Sequence, residues 1–275
     1  LKDEFIIPPF SIFDTASGDW QNRKDRWKRL NIKSEIGRDS ACINMDTHKK
    51  NIKEKAQYVS IFDPVLCEIM YRWFCPKGGY IIDPFAGGSV RGIVASHLGY
   101  NYTGIELREE QVDANIQQGL EITPENPPEW ICGDSDGLLN FEDKMYDFIF
   151  SCPPYYDLEV YSDDVDDLSN MTPYEFNLKY SSIIGKLYAI LKDNSYACFV
   201  VGNCRDKNGF MRDLVGKTIE SFEDYGFKYY NEIILRNPVA SASMRAKGNM
   251  KYKKMVKVHQ NVLVFVKGDP KKARV

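Results

Sequence analysis

No apolar run in this 275-residue chain approaches the roughly 18 residues that a membrane-spanning helix requires. Histidine is scarce: His48, His97 and His259 are the whole set, far apart in sequence, so no metal site is expected. His97 falls in an apolar helical stretch and reads as a packed core residue. The seven cysteines (Cys42, Cys67, Cys75, Cys132, Cys152, Cys198, Cys204) include no CxxC pair. An odd, scattered set reads as reduced buried thiols rather than disulfides or zinc ligands. The N-terminus has no signal-peptide pattern, and repeats and low-complexity tracts are lacking. A soluble, cytoplasmic protein with no membrane and no metal is expected. The chain starts at Leu1 rather than Met, as expected of a trimmed chain or a piece of a longer protein.

What is present agrees with one sizeable α/β domain. Hydrophobic residues make up 43% of the chain and aromatics 13%, ample for a large core. The formal net charge is −3, yet the charges are segregated. Eleven Lys and Arg residues against a single Asp lie between Arg236 and Arg274. A second basic cluster, Arg23, Lys24, Arg26, Lys28, Arg29 and Lys33 against Asp25, interleaves with Trp20 and Trp27 at helical spacing. Both suit phosphate contacts, since the local field matters more than the total; a solvated helix face and a basic loop are the plain alternatives. The stretch from Asp157 to Asp167 is acidic instead. It orders on binding, caps basic side chains, or leads into a helix.

The sharpest local pattern is Ser151-Cys152-Pro153-Pro154-Tyr155, which closes the apolar run Tyr146 to Phe150. The prolines stiffen the backbone and leave carbonyls free, and Tyr155 sets a flat ring beside them. The pattern fits a proline-terminated strand whose Tyr caps the core, or a seat for a planar ligand with an amino edge, such as an extruded nucleobase. Upstream, the buried strand Tyr80–Asp83 leads into Pro84-Phe85-Ala86-Gly87-Gly88-Ser89 and a helical pattern from Val90 to Leu98. This is the strand, glycine turn and helix that opens a Rossmann-like unit. The next strand, Tyr102–Glu106, ends in a carboxylate placed to accept ribose hydroxyls. A third, Trp130–Cys132, ends at Gly133-Asp134-Ser135, within reach of an adenine amino group.

Taken together, Asp83 to Ser89, Glu106, Asp134 and Cys152-Pro153-Pro154-Tyr155 resemble motifs I, II, III and IV of the amino-group DNA methyltransferases. Ser60-Ile61-Phe62-Asp63-Pro64 is similar to motif X of that family, and the tail His259 to Gly268 to its last strand. Cys152 to Met171 and the tail look most like a phage- and prophage-type branch of modification methylases. The resemblance implies a class I methyltransferase fold with a mostly parallel seven-stranded sheet and an antiparallel closing pair. It implies S-adenosylmethionine as cofactor, held by Ser60, Phe62, Asp83, Phe85, Ala86, Gly87, Gly88, Ser89, Glu106, Leu107, Asp134 and Ser135. It further implies catalysis by Cys152, Pro153, Pro154 and Tyr155 on double-stranded DNA, in a bacterial or phage-infected cell, by a monomer or homodimer. Adenine N6 is the expected target and cytosine N4 the alternative. Two positions depart from the family pattern. Ser89 replaces a third glycine, and Cys152 stands where Asp, Asn or Ser is usual. Cys152 reads as a weak acceptor or spacer rather than a nucleophile, because its sequence neighbours are acids that do not lower a thiol pKa. Ser151 points to the opposite face by strand alternation.

Beyond this motif, Pro173–Leu191 has a helical stripe of Tyr174, Phe176, Tyr180, Ile183, Ile184 and Leu187. Ala197–Val201 reads as a strand and Arg212–Tyr225 as a helix closed by Gly226. Lys228–Leu235 and Asn261–Lys267 read as an antiparallel pair. Between them, residues 237–259 form a long basic loop, the expected DNA contact. Residues 1–57 read as an extension wrapping the domain, with possible DNA contact, and 58–275 as the methyltransferase domain. The rival functions are a nicotinamide oxidoreductase, an RNA amino-methyltransferase and a non-catalytic DNA-binding subunit.

Overall fold

The computed structural model describes residues 2–34, 61–138, 145–158, 160–239 and 242–273. In chain order the elements are α1 (Lys2–Phe5), β1 (Ile12–Asp14), α2 (Gly18–Lys28), α3 (Pro64–Phe74), β2 (Tyr80–Asp83), α4 (Val90–His97), β3 (Asn101–Glu106), α5 (Glu109–Ile122), β4 (Glu129–Cys132), α6 (Ser135–Leu138) and β5 (Tyr146–Ser151). There follow α7 (Pro173–Ile190), β6 (Leu191–Val201), the short strands β7 (Cys204–Arg205) and β8 (Met211–Arg212), α8 (Leu214–Asp224), β9 (Lys228–Arg236), α9 (Ala242–Met250) and β10 (His259–Lys267).

Eight strands form one sheet in the order β1-β9-β10-β6-β5-β2-β3-β4. All neighbours are parallel except β10, which runs antiparallel to β6 and β9. The closing pair is thus the antiparallel one expected. The central strands β5 and β10, and β6 from Tyr196 on, are mostly apolar and buried because both faces are covered. Successive residues serve opposite layers: Ile81, Phe148 and Val264 join a core with α3 and α4, while Ile82, Ile149 and Phe265 join one with α7 and α8. In the second layer Phe222 stacks on Phe265 with ring centroids 3.9 Å apart.

Helix starts are set by local chemistry. Asp63 caps α3 by accepting from the Val65 N–H at 2.9 Å, with Pro64 in the first turn. Thr172 and Glu175 form a reciprocal capping box ahead of Pro173 in α7. Within α7, Phe176, Tyr180, Ile183, Ile184 and Leu187 are buried, but Tyr174 is 73% exposed. Two residues before Phe176, it lies on the opposite side of the helix.

The sheet holds one strand more than the seven expected. It is β1, which pairs in parallel with β9, Ile12 opposite Ile234. Three residues are too few to show a strand rhythm. Next to it, α2 docks on α3 through its two tryptophans. Trp20 and Trp27 are buried, and their indole N–H groups donate to Asp63 and Glu68 at 3.1 and 2.9 Å. Arg23 pairs with Glu68 at 2.8 Å and Lys24 with Asp63 at 2.9 Å. These two cations of the expected phosphate patch are therefore engaged by the protein itself, whereas Arg26 and Arg29 are exposed. The boundary placed at residue 57 lies outside the described residues, as do Cys42 and His48.

Three further expectations are corrected. His97 is exposed at the end of α4, its ring edge-on to Trp27 at 5.4 Å, because the apolar face of that short helix ends before it. Cys132 is exposed, since β4 is the sheet's edge strand. The stretch 237–259 is not all loop: it contains α9, whose Ala, Met, Arg and Lys residues favour helix. Only Ala242 of α9 is buried, so no apolar stripe announces it.

Trp20 makes the N-terminal segment part of the fold, so Trp20→Ala is expected to lower stability by about 3–5 kcal/mol. Equilibrium urea unfolding checks this; a loss below about 1 kcal/mol would mean the segment is only loosely attached.

Candidate active site

The parallel strands β2, β3, β4 and β5 deliver their carboxyl ends to one edge of the sheet, where ligands bind in folds of this kind. A cavity of about 380 Å³ opens there, within the usual range for a small-molecule site.

Behind it lies Asp83, fully buried. One of its oxygens accepts from Arg91 Nε at 2.5 Å and from the Tyr102 hydroxyl at 2.8 Å. The other accepts from the Ser151 hydroxyl at 2.5 Å and the Phe85 N–H at 3.1 Å. Burial works against the Arg91 charge, but the Asp83 carboxylate more than offsets it and holds the guanidinium ionised. Arg91 also donates to the carbonyls of Phe85 and Ala86, at 2.5 and 2.9 Å, and stands 4.6 Å over the Phe62 ring. Asp83 and Arg91 thus fix the path of the turn that lines the cavity, and Asp83 itself does not line it. Ser151 faces Asp83, as alternation requires.

The turn is pinned to β3 from the other side. The Ala86 N–H donates to the Ile105 carbonyl at 2.9 Å, and the Gly87 N–H to Glu106 Oε2 at 2.9 Å. Gly87 has φ +54°, a left-handed conformation that favours glycine. A Cβ on Gly88 would lie 2.1 Å from Ser34 Oγ, so the N-terminal segment closes on the turn at this point. Glu106 also accepts from the Arg108 N–H at 3.2 Å and pairs with Arg108 Nε at 3.4 Å. Ser89 is buried and donates to Gln118 at 3.3 Å, away from the cavity.

At the end of β4, Asp134 pairs with Lys179 Nζ at 3.0 Å, and the Ser135 hydroxyl donates to the Pro84 carbonyl. Lys179 holds Asp166 as well, at 2.9 Å. Burial opposes the Lys179 charge, but bonds to Asp166 and Asp134 outweigh it and raise its pKa. Asp157 pairs with Arg212. Of the alternatives for the acidic stretch, carboxylates capping basic side chains is what these pairs show. The stretch folds over the cavity, which Leu158, Tyr161 and Leu168 help to line.

At the end of β5, Cys152 is half-buried and Pro153 buried, and the next two side chains diverge. Tyr155 lines the cavity, its hydroxyl accepting from Gln260 Nε2 at 2.9 Å. Tyr156, at φ +53°, turns into the core against Phe176, with ring centroids 4.3 Å apart. A non-glycine residue held there costs on the order of 1–3 kcal/mol, and the reversal it makes aims Tyr155 at the cavity. Burial first, then the nearby Cys152 side chain, pushes the Tyr155 hydroxyl well above its ordinary pKa.

Phe62, Phe85, Ala86, Gly87, Gly88, Glu106, Leu107, Asp134, Ser135, Cys152, Pro153, Pro154 and Tyr155 therefore come together around one cavity. Asp83 and Ser89 stand behind it, and Ser60 lies outside the described residues. Not foreseen in the sequence were Arg91, Ser34, Arg108 and Gln260. Arg91 alone left a signal, as a single cation in an otherwise apolar helix eight residues after a strand-end Asp.

Residues 14–117 match a family model described as DNA methylase, N6_N4_Mtase. The match takes in the glycine turn and Glu106 and stops short of Asp134 and Cys152. No curated protein matches the chain. Among solved structures it is similar to TrmN from Thermus thermophilus, at 14% identity and TM-score 0.50 over 75% of this chain and 49% of that one. It thus spans about half the length of TrmN. It is also similar to a methyltransferase from Pyrococcus furiosus, at 15% identity and TM-score 0.50 over 90% and 98% of the two chains. A third likeness is to magnesium protoporphyrin IX methyltransferase from Synechocystis PCC 6803 with bound SAH, at 11% identity and TM-score 0.50 over 90% and 94%. At such identities these likenesses establish the fold: this is the Rossmann-like architecture of methyltransferases.

Arg91→Met would leave the Asp83 carboxylate buried without its counter-charge and is expected to lower stability by about 3–5 kcal/mol. Adding Asp83→Asn should recover part of that loss. Urea unfolding of the two variants checks both; a stable single variant would show that the pair does not hold the turn.

Proposed function

We propose that the chain is an S-adenosylmethionine-dependent methyltransferase acting on the exocyclic amino group of an extruded DNA base, most directly adenine N6. One observation carries this reading: a glycine turn with an acid at each of two neighbouring strand ends shares a single cavity with Cys152-Pro153-Pro154-Tyr155. The match of residues 14–117 to a DNA methylase family supports it, as does the similar fold of a protein crystallised with SAH.

The residues present fit such a cofactor. Gly87 and Gly88 keep side chains out of the turn, Glu106 offers a fixed carboxylate to two ribose hydroxyls, and Asp134 with Ser135 faces the adenine. Phe62 gives an apolar wall. When bound, the cofactor would supply a methyl group on a cationic sulfur, which would keep the C–S electron pair as the amino nitrogen's lone pair takes the methyl and an N–H proton is lost to water.

The chain's own task is positioning, which contributes about 7–11 kcal/mol in the best cases. An exocyclic amine shares its lone pair with the ring and is a poor nucleophile while planar. The Pro153 carbonyl accepts one of its N–H groups and favours the pyramidal form. Tyr155 stacks on the base, its plane held by the bond from Gln260. No general base is required, because the proton leaves after transfer.

DNA is brought to this edge by the connection between β9 and β10. His259 opposite Arg236 and Asn261 opposite Val201 place that connection at the carboxyl end of β6, beside Tyr155. Arg245, Lys247, Lys251 and Lys253 are exposed there. Unlike Arg23 and Lys24, none of them pairs with a carboxylate among the described residues. Exposed Met244 and Tyr252 accompany them, an arrangement suited to a phosphate backbone beside bases. A modification methylase of the phage and prophage type is the branch this reading favours.

Incubation with labelled S-adenosylmethionine and unmethylated DNA, then nucleoside mass spectrometry, is expected to give N6-methyladenine. N4-methylcytosine would move the target base, and 5-methylcytosine or label in RNA alone would overturn the reading. In the same preparation Glu106→Ala should weaken cofactor binding about tenfold or more, at about 1.5–3 kcal/mol for a charged hydrogen bond; calorimetry showing unchanged affinity would remove Glu106 from the site. Neutralising Lys251 and Lys253 together should shallow the salt dependence of DNA binding by nearly two units of slope, at about 0.9 per phosphate contact. An unchanged slope would return the segment to bare solvent.

A further inference from the structure

The departure at Cys152 raises a question of chemistry. Favouring a pyramidal amine takes two acceptors, one for each N–H. The Pro153 carbonyl is one. A thiol sulfur is a weak acceptor, so Cys152 is poorly suited to be the other.

Gln260 stands second in β10, where that strand enters the sheet beside the end of β6. It lines the same cavity as Cys152, Pro153 and Tyr155. Its Nε2 donates to the Tyr155 hydroxyl at 2.9 Å. Among the described residues, its Oε1 accepts no hydrogen bond. Cys152 converges on the same hydroxyl, where its side-chain hydrogen bond helps to raise the Tyr155 pKa. The hydroxyl thus stands between the weak acceptor and a strong one. It uses the donor end of the amide, which settles which end is left for the cavity.

We propose that Gln260 is a catalytic residue of this site: its Oε1 accepts the second N–H of the target amino group, in place of the side chain at position 152. The proposal rests on the amino-methyltransferase reading above. Gln260 and the Pro153 carbonyl then take one N–H each, and the lone pair is turned out of the ring. Tyr155 acquires two functions, stacking on the base through its ring and orienting the amide through its hydroxyl. Because both adenine and cytosine carry such an amino group, the arrangement accounts for reaction at an amine and leaves the choice of base to the surrounding contacts.

The test uses the full chain, amplified unmethylated genomic DNA and S-adenosylmethionine. Gln260→Leu, which keeps bulk and removes the acceptor, is expected to lower turnover at saturating DNA at least tenfold. Cofactor affinity by calorimetry and melting temperature should be unchanged. Gln260→Glu keeps an acceptor and should retain much more of the rate. Cys152→Asn, added to Gln260→Leu, restores a strong acceptor at position 152 and should recover most of it. Should Gln260→Leu lower the melting temperature, Gln260→Met gives the same comparison. Turnover of Gln260→Leu within twofold of the unsubstituted chain overturns the proposal. So does a loss that Cys152→Asn leaves in place, because Gln260 would then serve only to hold Tyr155. If the unsubstituted chain binds cofactor yet methylates no DNA base, the amino-methyltransferase reading fails and this proposal with it. The parent chain's activity therefore tells the two failures apart.

Discussion

One buried carboxylate organises the carboxyl edge of this sheet. Asp83 ends β2 and takes hydrogen bonds from Tyr102 on β3, Ser151 on β5 and Arg91 on α4. Three strands and a helix are thus registered against a single side chain. An ionised carboxylate away from water is costly unless its lone pairs are filled and a counter-charge is near, and here both conditions hold. Arg91 extends the arrangement, because the guanidinium fork that neutralises Asp83 also grips the carbonyls of Phe85 and Ala86. The glycine turn is therefore held open from below, without side chains of its own to shape it. Ser151 carries the same constraint to the next strand, fixing where the Pro153 carbonyl begins.

Charge is distributed to suit that edge. Cations that would otherwise lie beside the cavity are used internally: Lys179 joins Asp134 to Asp166, and Arg212 holds Asp157. The acidic stretch is thereby tied to the protein at Asp157 and Asp166, while Asp163 and Asp164 stay exposed. On α2, the pairs to Asp63 and Glu68 spend two cations in docking the helix. On the β9–β10 connection, at the same edge as Tyr155, Arg245, Lys247, Lys251 and Lys253 are exposed and pair with no carboxylate among the described residues. A chain of net negative charge in this way carries a locally positive surface at that edge.

The elements whose signals are local were legible in the sequence. β2 was placed at its true limits, Tyr80–Asp83, because four apolar or acidic residues followed by a proline and two glycines leave few alternatives. The proline pair that ends β5 and the capping pair that begins α7 act within five residues of the elements they bound. What pairing across the chain decided was not legible. β1 becomes a strand only because β9 offers it an edge. His97 is exposed because the short α4 ends its apolar face beneath it, and α9 has no apolar stripe to declare itself. Thirteen of the sixteen residues named from motifs line the cavity, yet Asp83 proves to be its support rather than its wall. That distinction depends on Tyr102, Ser151 and Arg91 arriving from separate elements.

By itself the sequence determined the strands β2 to β6 with the helices α4 and α7, the glycine turn, the acids at the strand ends and the rigid Pro153-Pro154 exit. All of these follow from backbone preferences and apolar periodicity, which act over a few residues. Tertiary structure alone decided which acids face the cavity, which cations are spent, and that Gln260 meets Tyr155 from 105 residues away. The reason is physical: a hydrogen bond or ion pair depends on distances of about 3 Å, and the chain's local preferences do not fix such distances between elements folded together from far apart.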